Sequence, residues 1–292
     1  MHDFDYQPRN PNYQPPILIQ WAQKIKTNRP LRHVILFLLT ILTTYMAHGM
    51  LYALSIISIL LAHEMGHYLM CRKYGIPATL PFFLPFPFPQ FNPFGTLGAV
   101  IKMQGRIPHR RALFDIGAAG PLAGLAVTIP VLLIGLKNTR FVPLDTITPG
   151  TLFLGESFLF KQLAQWIMGP TPPGYDAMLH PMAFAGWAGL FVTALNLLPI
   201  GQLDGGHILY AIFGYRSEQI YKFAMAAFII VCAIWYPGWL LLIILLLWVG
   251  YRHPAPENDF IPLDRRREVL GYVTFIIFLI SFIPIPFHIL AN

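Results

Sequence analysis

Residues 51–71 read LYALSIISILLAHEMGHYLMC, an apolar run long enough to cross a bilayer, with His63, Glu64 and His67 set into its second half. An ionisable side chain near the middle of a span costs about 2.5–3.5 kcal/mol on insertion scales, and three fall here within about one and a half turns. Only a partner, a metal or a water-filled cavity makes that arrangement tolerable. Residues four apart share one face of a helix, so His63 and His67 can hold one cation. Glu64 points in a neighbouring direction, where it can accept a proton from metal-bound water. The plainer alternative is that all three groups bond to adjacent helices for structure alone. A helix entering at residue 51 has climbed about 18 Å by His63 and about 24 Å by His67, so the motif is submerged.

The rest of the chain agrees with a membrane setting. Of 292 residues, 55% are apolar and only 11% charged, well below the roughly 25% of a soluble domain. A water-soluble enzyme, a disordered chain and a disulfide scaffold are excluded on that basis; the two cysteines lie in or beside apolar runs. Apolar segments at about 34–50, 51–71, 112–136, 181–198, 221–249 and 269–290 predict an all-α polytopic membrane protein of about six to seven transmembrane helices, with a membrane-dipping extended loop. The stretch 221–249 would be about 43 Å long as one helix, so Pro237-Gly238 is expected to split it.

Lys and Arg concentrate in cytoplasmic loops. With the N-terminus inside and 221–249 split, seventeen basic residues fall inside and three outside; unsplit, the balance drops to thirteen against seven. The net charge of +7 is thereby explained by orientation and calls for no nucleic-acid partner. The expected organisation is a cytoplasmic segment 1–31, a transmembrane core 32–250, a solvated cytoplasmic linker 251–268 and a last helix in 269–292. The absence of a secretory or transit-like N-terminus points to a bacterial plasma membrane, with membrane lipid as surroundings. Trp235, Trp239 and Trp248 are expected at interfaces.

Residues 76–111 are rich in Pro and Phe and nearly uncharged before Lys102. Prolines at 81, 85, 87, 89 and 93 forbid a regular helix. Composition leaves open a loop dipping against protein or a greasy interfacial linker; residues 95–103 are β-prone. The external loop 138–180 is too short for a further domain.

Two histidines leave a catalytic zinc one protein ligand short. Few acidic residues lie in or beside the apolar segments. Asp115 stands near a helix start, where capping explains it. Asp204 follows Pro199 and Gly201, which should break the fourth helix and line a cavity with irregular backbone. Asp204 is therefore the expected third ligand; His48, His207 and His288 are not assigned to the metal. Gly117, Gly120 and Gly124 form a small-residue stripe, for which ordinary helix packing is a sufficient account.

The His63-Glu64-x-x-His67 pattern, with Asn196-Leu-Leu-Pro and Leu203-Asp204-Gly205 downstream and the small-residue run 117–124 between, resembles the site-2 protease family of intramembrane zinc metalloproteases. The resemblance covers about residues 51–207. It implies one Zn2+ per chain on His63, His67 and Asp204, Glu64 as catalytic base, and a transmembrane protein as substrate. It also implies substrate or oxyanion contact at Asn196, and a β-loop at Gly95, Thr96, Leu97 and Gly98 that pairs with unwound substrate. Bacterial members often carry PDZ domains outside, for which 138–180 is too short. A membrane metal or ion transporter would use the same residue types, but predicts donors spread along a pathway. A downstream Glu ligand fits poorly, since Glu156 and Glu218 lie outside the apolar segments.

Overall fold

The computed structural model describes residues 29–148, 150–249 and 253–289. Expectations for residues 1–28, most of the 1–31 segment, lie outside the described residues. Helices dominate: α1 (Arg29–Lys73), α2 (Arg110–Lys137), α3 (Phe158–Met168), α4 (Pro181–Asn196), α5 (Asp204–Phe213), α6 (Ser217–Ile234), α7 (Leu240–Val249) and α8 (Arg265–Ser281). Three antiparallel two-stranded sheets modify the all-α expectation. They pair β1 (Phe82–Pro85) with β2 (Thr96–Val100), β3 (Arg140–Pro143) with β5 (Tyr175–Met178), and β4 (Leu152–Leu154) with β6 (Phe287–Ile289).

Three helical stretches are long and apolar enough to cross a membrane: Pro30–Lys73, Arg110–Lys137 and Asp204–Ile234; Pro237–Trp248 is a shorter apolar helix. The first contains a break at His48 and Gly49, where Gly49 has φ +81°, a left-handed conformation that glycine adopts without strain. It divides α1 into arms of about 28 and 36 Å. The stretch 221–249 is broken as well, with Trp235 and Tyr236 outside both helices and a single 3₁₀ turn at Pro237–Trp239.

Several expectations change. The last helix stops at Ser281 rather than near residue 290. Pro284 and Pro286 cannot continue it, and the chain turns into β6 to pair with β4. Residues 138–180 form a folded cap holding β3, β4, α3 and β5. The cap is keyed to the helices by Trp187, whose Nε1 donates to Gly155 O at 2.7 Å, and by Gly155 N on Pro286 O at 2.9 Å. Trp239 is buried rather than interfacial, with Nε1 donating to Pro284 O at 2.8 Å; Trp235 and Trp248 are exposed.

Asp115 is not a cap: the N-cap of α2 is His109, whose ring accepts from Ala112 N at 3.1 Å. Asp115 instead accepts two bonds from Arg267, at 2.7 and 2.8 Å, and one from Tyr74 at 2.5 Å, joining α1, α2 and α8. The linker before α8 is mostly exposed to solvent, as expected, but is also strapped down. Glu257 N and Asn258 N donate to Ile107 O and Pro108 O, each at 2.9 Å, and Arg111 Nε donates to Pro262 O at 3.0 Å.

Candidate metal centre

α1 and α2 cross at the motif, and the crossing depends on missing side chains. A Cβ at Gly66 would stand 2.4 Å from Ala119 O, and one at Gly120 would stand 2.0 Å from His67 Nε2. Gly124 leaves 3.2 Å to the Cβ of His63, and Gly117 leaves 2.7 Å to the Cβ of His207. The stripe 117–120–124 thus seats the two imidazoles and the first turn of α5 as well as packing helices. After α4 the chain folds under α5 through residues 197–203, with Gly201 at φ +58°. A Cβ at Gly205 would meet Leu197 O at 2.1 Å, so the backbone before Asp204 is drawn tight against the helix start. That fold-back presents the Asp204 carboxylate to α1.

His63, Glu64 and His67 are 6%, 7% and 8% exposed. His63 Nε2 and His67 Nε2 lie 3.1 Å apart. Asp204 Oδ2 is 3.3 Å from His63 Nε2, and Oδ1 is 3.3 Å from His67 Nε2. Ligands on a tetrahedral zinc with bonds near 2.0–2.2 Å sit about 3.3–3.5 Å apart, so the spacing fits such an ion. The donor chemistry fits too. His67 Nδ1 lies 2.8 Å from Ile116 O, an acceptor that carries no proton, so the ring proton belongs on Nδ1 and the Nε2 lone pair faces inward. Lone pairs of one imidazole and one carboxylate then meet with no proton between them, an arrangement a cation satisfies. Among the described residues, His63, His67 and Asp204 form the group able to hold a metal ion.

A cavity of about 240 Å³ opens beside these donors, lined also by Glu64, Asn196 and His207. Asn196, at the end of α4, brings Nδ2 to 3.2 Å from His63 Nε2. Glu64 faces the backbone of Ile101. Gly95, Thr96, Leu97 and Gly98 do not line the cavity; Ala99, Val100, Ile101 and Met103 do. The reason is register: Thr96 is pinned opposite Pro85, so β2 reaches the site only with its far end.

Sequence reasoning missed His253. This linker residue contacts His207 Nδ1 through its own Nε2 and stacks near Tyr210, whose hydroxyl donates to Asp259 at 3.3 Å. The contact spans 46 positions and carries no local signal.

The profile of Peptidase family M50 matches residues 51–235, which contain every one of these donors. Over 236 residues the chain is 30% identical to the probable zinc metalloprotease EGY2, chloroplastic, of Arabidopsis thaliana, covering 78% of this chain and 40% of that protein. It is 33% identical over 174 residues to the probable zinc metalloprotease EGY1, chloroplastic, of Oryza sativa subsp. japonica, covering 56% and 28%. The chain therefore spans well under half the length of these relatives. With the motif spacing and more than half of the chain matched, this protein belongs to peptidase family M50.

Proposed function

We propose that the chain is an intramembrane zinc metalloprotease that hydrolyses peptide bonds within or near transmembrane segments of other proteins. The observation that supports this best is the convergence of two imidazoles and one carboxylate, with an acid–base carboxylate in the same cavity. His63, His67 and Asp204 would hold one zinc ion per chain. Bound there, zinc would lower the pKa of water and polarise a carbonyl. Glu64 takes the proton of the attacking water and returns it to the leaving amine, a role worth about 10²–10⁴-fold in rate. Asn196 stands where it can donate to the carbonyl oxygen of a substrate beside His63.

A helical substrate hides its carbonyls in hydrogen bonds and must unwind. β2 belongs to a two-stranded sheet and keeps one edge unpaired among the described residues, so the stretch from Gly95 through Gly98 to Met103 can accept the freed backbone by strand addition. Seven spans, the upper end of six to seven, follow when the two arms of α1, then α2, α4, α6, α7 and α8 are each taken as crossing. The basic-residue balance puts the N-terminus on the cytoplasmic side. Localising a tagged chain decides between a bacterial plasma membrane, the expectation from sequence, and the chloroplast named for the relatives. A transporter would distribute donors along a path; the described residues concentrate them at one point.

The test is to purify the wild type, Glu64→Gln and Asp204→Asn, then measure bound zinc and cleavage of a transmembrane peptide. Glu64→Gln keeps zinc and loses cleavage by at least 100-fold; Asp204→Asn loses both. Cleavage by Glu64→Gln at the wild-type rate, or ion transport without proteolysis, overturns the proposal.

A further inference from the structure

The cap encloses a cavity of about 420 Å³, a volume in the range of ligand sites, and the metal donors do not line it. Its position follows from α2. Gly120 abuts His67, and the helix ends seventeen residues later at Lys137, three residues before β3 of the cap. The cap thus begins about 25 Å along the helix from the metal centre.

Its walls have a definite construction. All three residues of β4 and residues 176–178 of β5 line it, but only Val142 of β3 and none of β6. Since β4 pairs with β6 and β5 with β3, the cavity lies on the sides of β4 and β5 away from their partners. Each sheet has two strands, so β4 and β5 each keep one edge unpaired among the described residues. The backbone N–H of Ala177 already donates away from β3, to the Asp176 carboxylate at 2.7 Å. A sheet edge whose N–H is held by its own side chain is open to exchange for a strand carbonyl. Glu156 stands exposed at the cavity, Asp176 on its wall, and the remaining lining is largely apolar with a few threonines. Lys161 lies outside this lining, though near enough to act on the Glu156 carboxylate from an adjoining cavity.

We propose that the cap is a second binding site, which takes an extended, apolar segment carrying Lys or Arg from the membrane-protein substrate, adding it as a strand between β4 and β5. The strand order becomes β6-β4-substrate-β5-β3. The backbone edges hold the main chain, the apolar wall takes alternate side chains, and Glu156 and Asp176 select for positive charge. The site rests on the protease reading for its occupant, though not for its chemistry. It fixes the substrate at the cap end of α2, away from the metal centre, and so confines where cutting falls.

The experiment uses the full-length protein in detergent and two fluorescein-labelled synthetic peptides. Both are rich in Val and Thr; one carries two Lys and the other two Glu at the same positions. Wild type and Glu64→Gln bind the Lys peptide equally and prefer it to the Glu peptide. Thr151→Trp, in an exposed loop that lines the cavity, fills it and weakens binding at least tenfold. Glu156→Lys loses the Lys peptide and gains the Glu peptide. In cleavage of a transmembrane peptide extended by the Lys segment, Thr151→Trp raises KM and leaves kcat unchanged; without the segment it changes neither. Equal binding by wild type and Thr151→Trp, or binding indifferent to peptide charge, overturns the site. Normal peptide binding with no cleavage by the wild type overturns the protease reading and leaves the cap site standing.

Discussion

Around the metal donors the helices meet backbone to imidazole, whereas α6 and α7 present mostly side chains outward. At the first place a methyl group at Gly66 or Gly120 would collide with a carbonyl or a histidine, and one at Gly124 would press on His63 at 3.2 Å. On the α6–α7 arm Phe223, Ile230, Leu241 and Leu247 are all more than half exposed, and only a few residues such as Tyr221, Phe228 and Ile243 are buried. One region has little room for an added atom because its backbones set the positions of His63 and His67. The other serves as apolar surface, for which any side chain of similar hydrophobicity serves. Within a single membrane protein, sensitivity to substitution should therefore follow backbone proximity rather than hydrophobicity.

The sharpest way to break this contrast is Gly120→Ala. The new Cβ would fall 2.0 Å from His67 Nε2, so the ring or α2 must move. Displacing groups that orient metal ligands typically costs 10–100-fold in metal affinity. Stability behaves differently. Ala favours a helix by about 1 kcal/mol over Gly, which offsets part of the roughly 1–3 kcal/mol of overpacking. Zinc affinity, measured by competition with a chelating dye, should fall by at least tenfold. Unfolding of the zinc-free protein should shift by no more than about 2 kcal/mol. An unchanged zinc affinity would show that the stripe only packs helices.

Asp115→Asn reverses the pattern. Asp115 ties Tyr74 and Arg267 together in a pair that is partly exposed on the Arg side, and although it precedes Ile116 on α2 it does not line the cavity beside the donors. Screening lowers its worth below that of a fully buried ion pair, leaving about 1–2 kcal/mol. Denaturation should report that loss, with zinc affinity changed by less than threefold. A large loss of zinc would make the ion-pair hub part of the metal centre's support.

What could be read in advance follows the range of each interaction. His63, Glu64 and His67 announce themselves because four-residue spacing is local to one helix. Asp204 stands out because so few carboxylates lie in or beside the apolar segments, and Asn196 because its motif resembles a known one. Gly120 was visible as part of a stripe, but its meeting with His67 depends on a contact 53 positions away. The cap was legible only as a loop, since β4 finds its partner β6 more than 130 residues later. His253 gave no sign at all: a polar linker shows nothing until its docking surface, here the first turn of α5 and the start of α2, has been built. Within the β-prone stretch residues 99–101 and 103 line the cavity, because pairing with β1 fixes which end of the strand arrives at the site.

The smallest effect tests the comparison inside the α6–α7 arm itself, using two tryptophans that look alike in sequence. Trp239 is 5% exposed, stacks on Phe191 and Phe282, and donates to Pro284 O; Trp248 is 82% exposed. Replacing Trp239 with Phe removes one part-buried hydrogen bond and leaves space where the larger buried ring packed, a loss of about 1–3 kcal/mol. Trp248→Phe removes nothing the protein holds and should stay within about 0.5 kcal/mol. Quenching separates them independently of stability: bromine on lipid chains should quench Trp248 and spare Trp239. Equal quenching of the two would mean that the 3₁₀ turn at Pro237–Trp239 opens to lipid, and the arm would then be a loosely attached hairpin rather than a surface anchored at its bend.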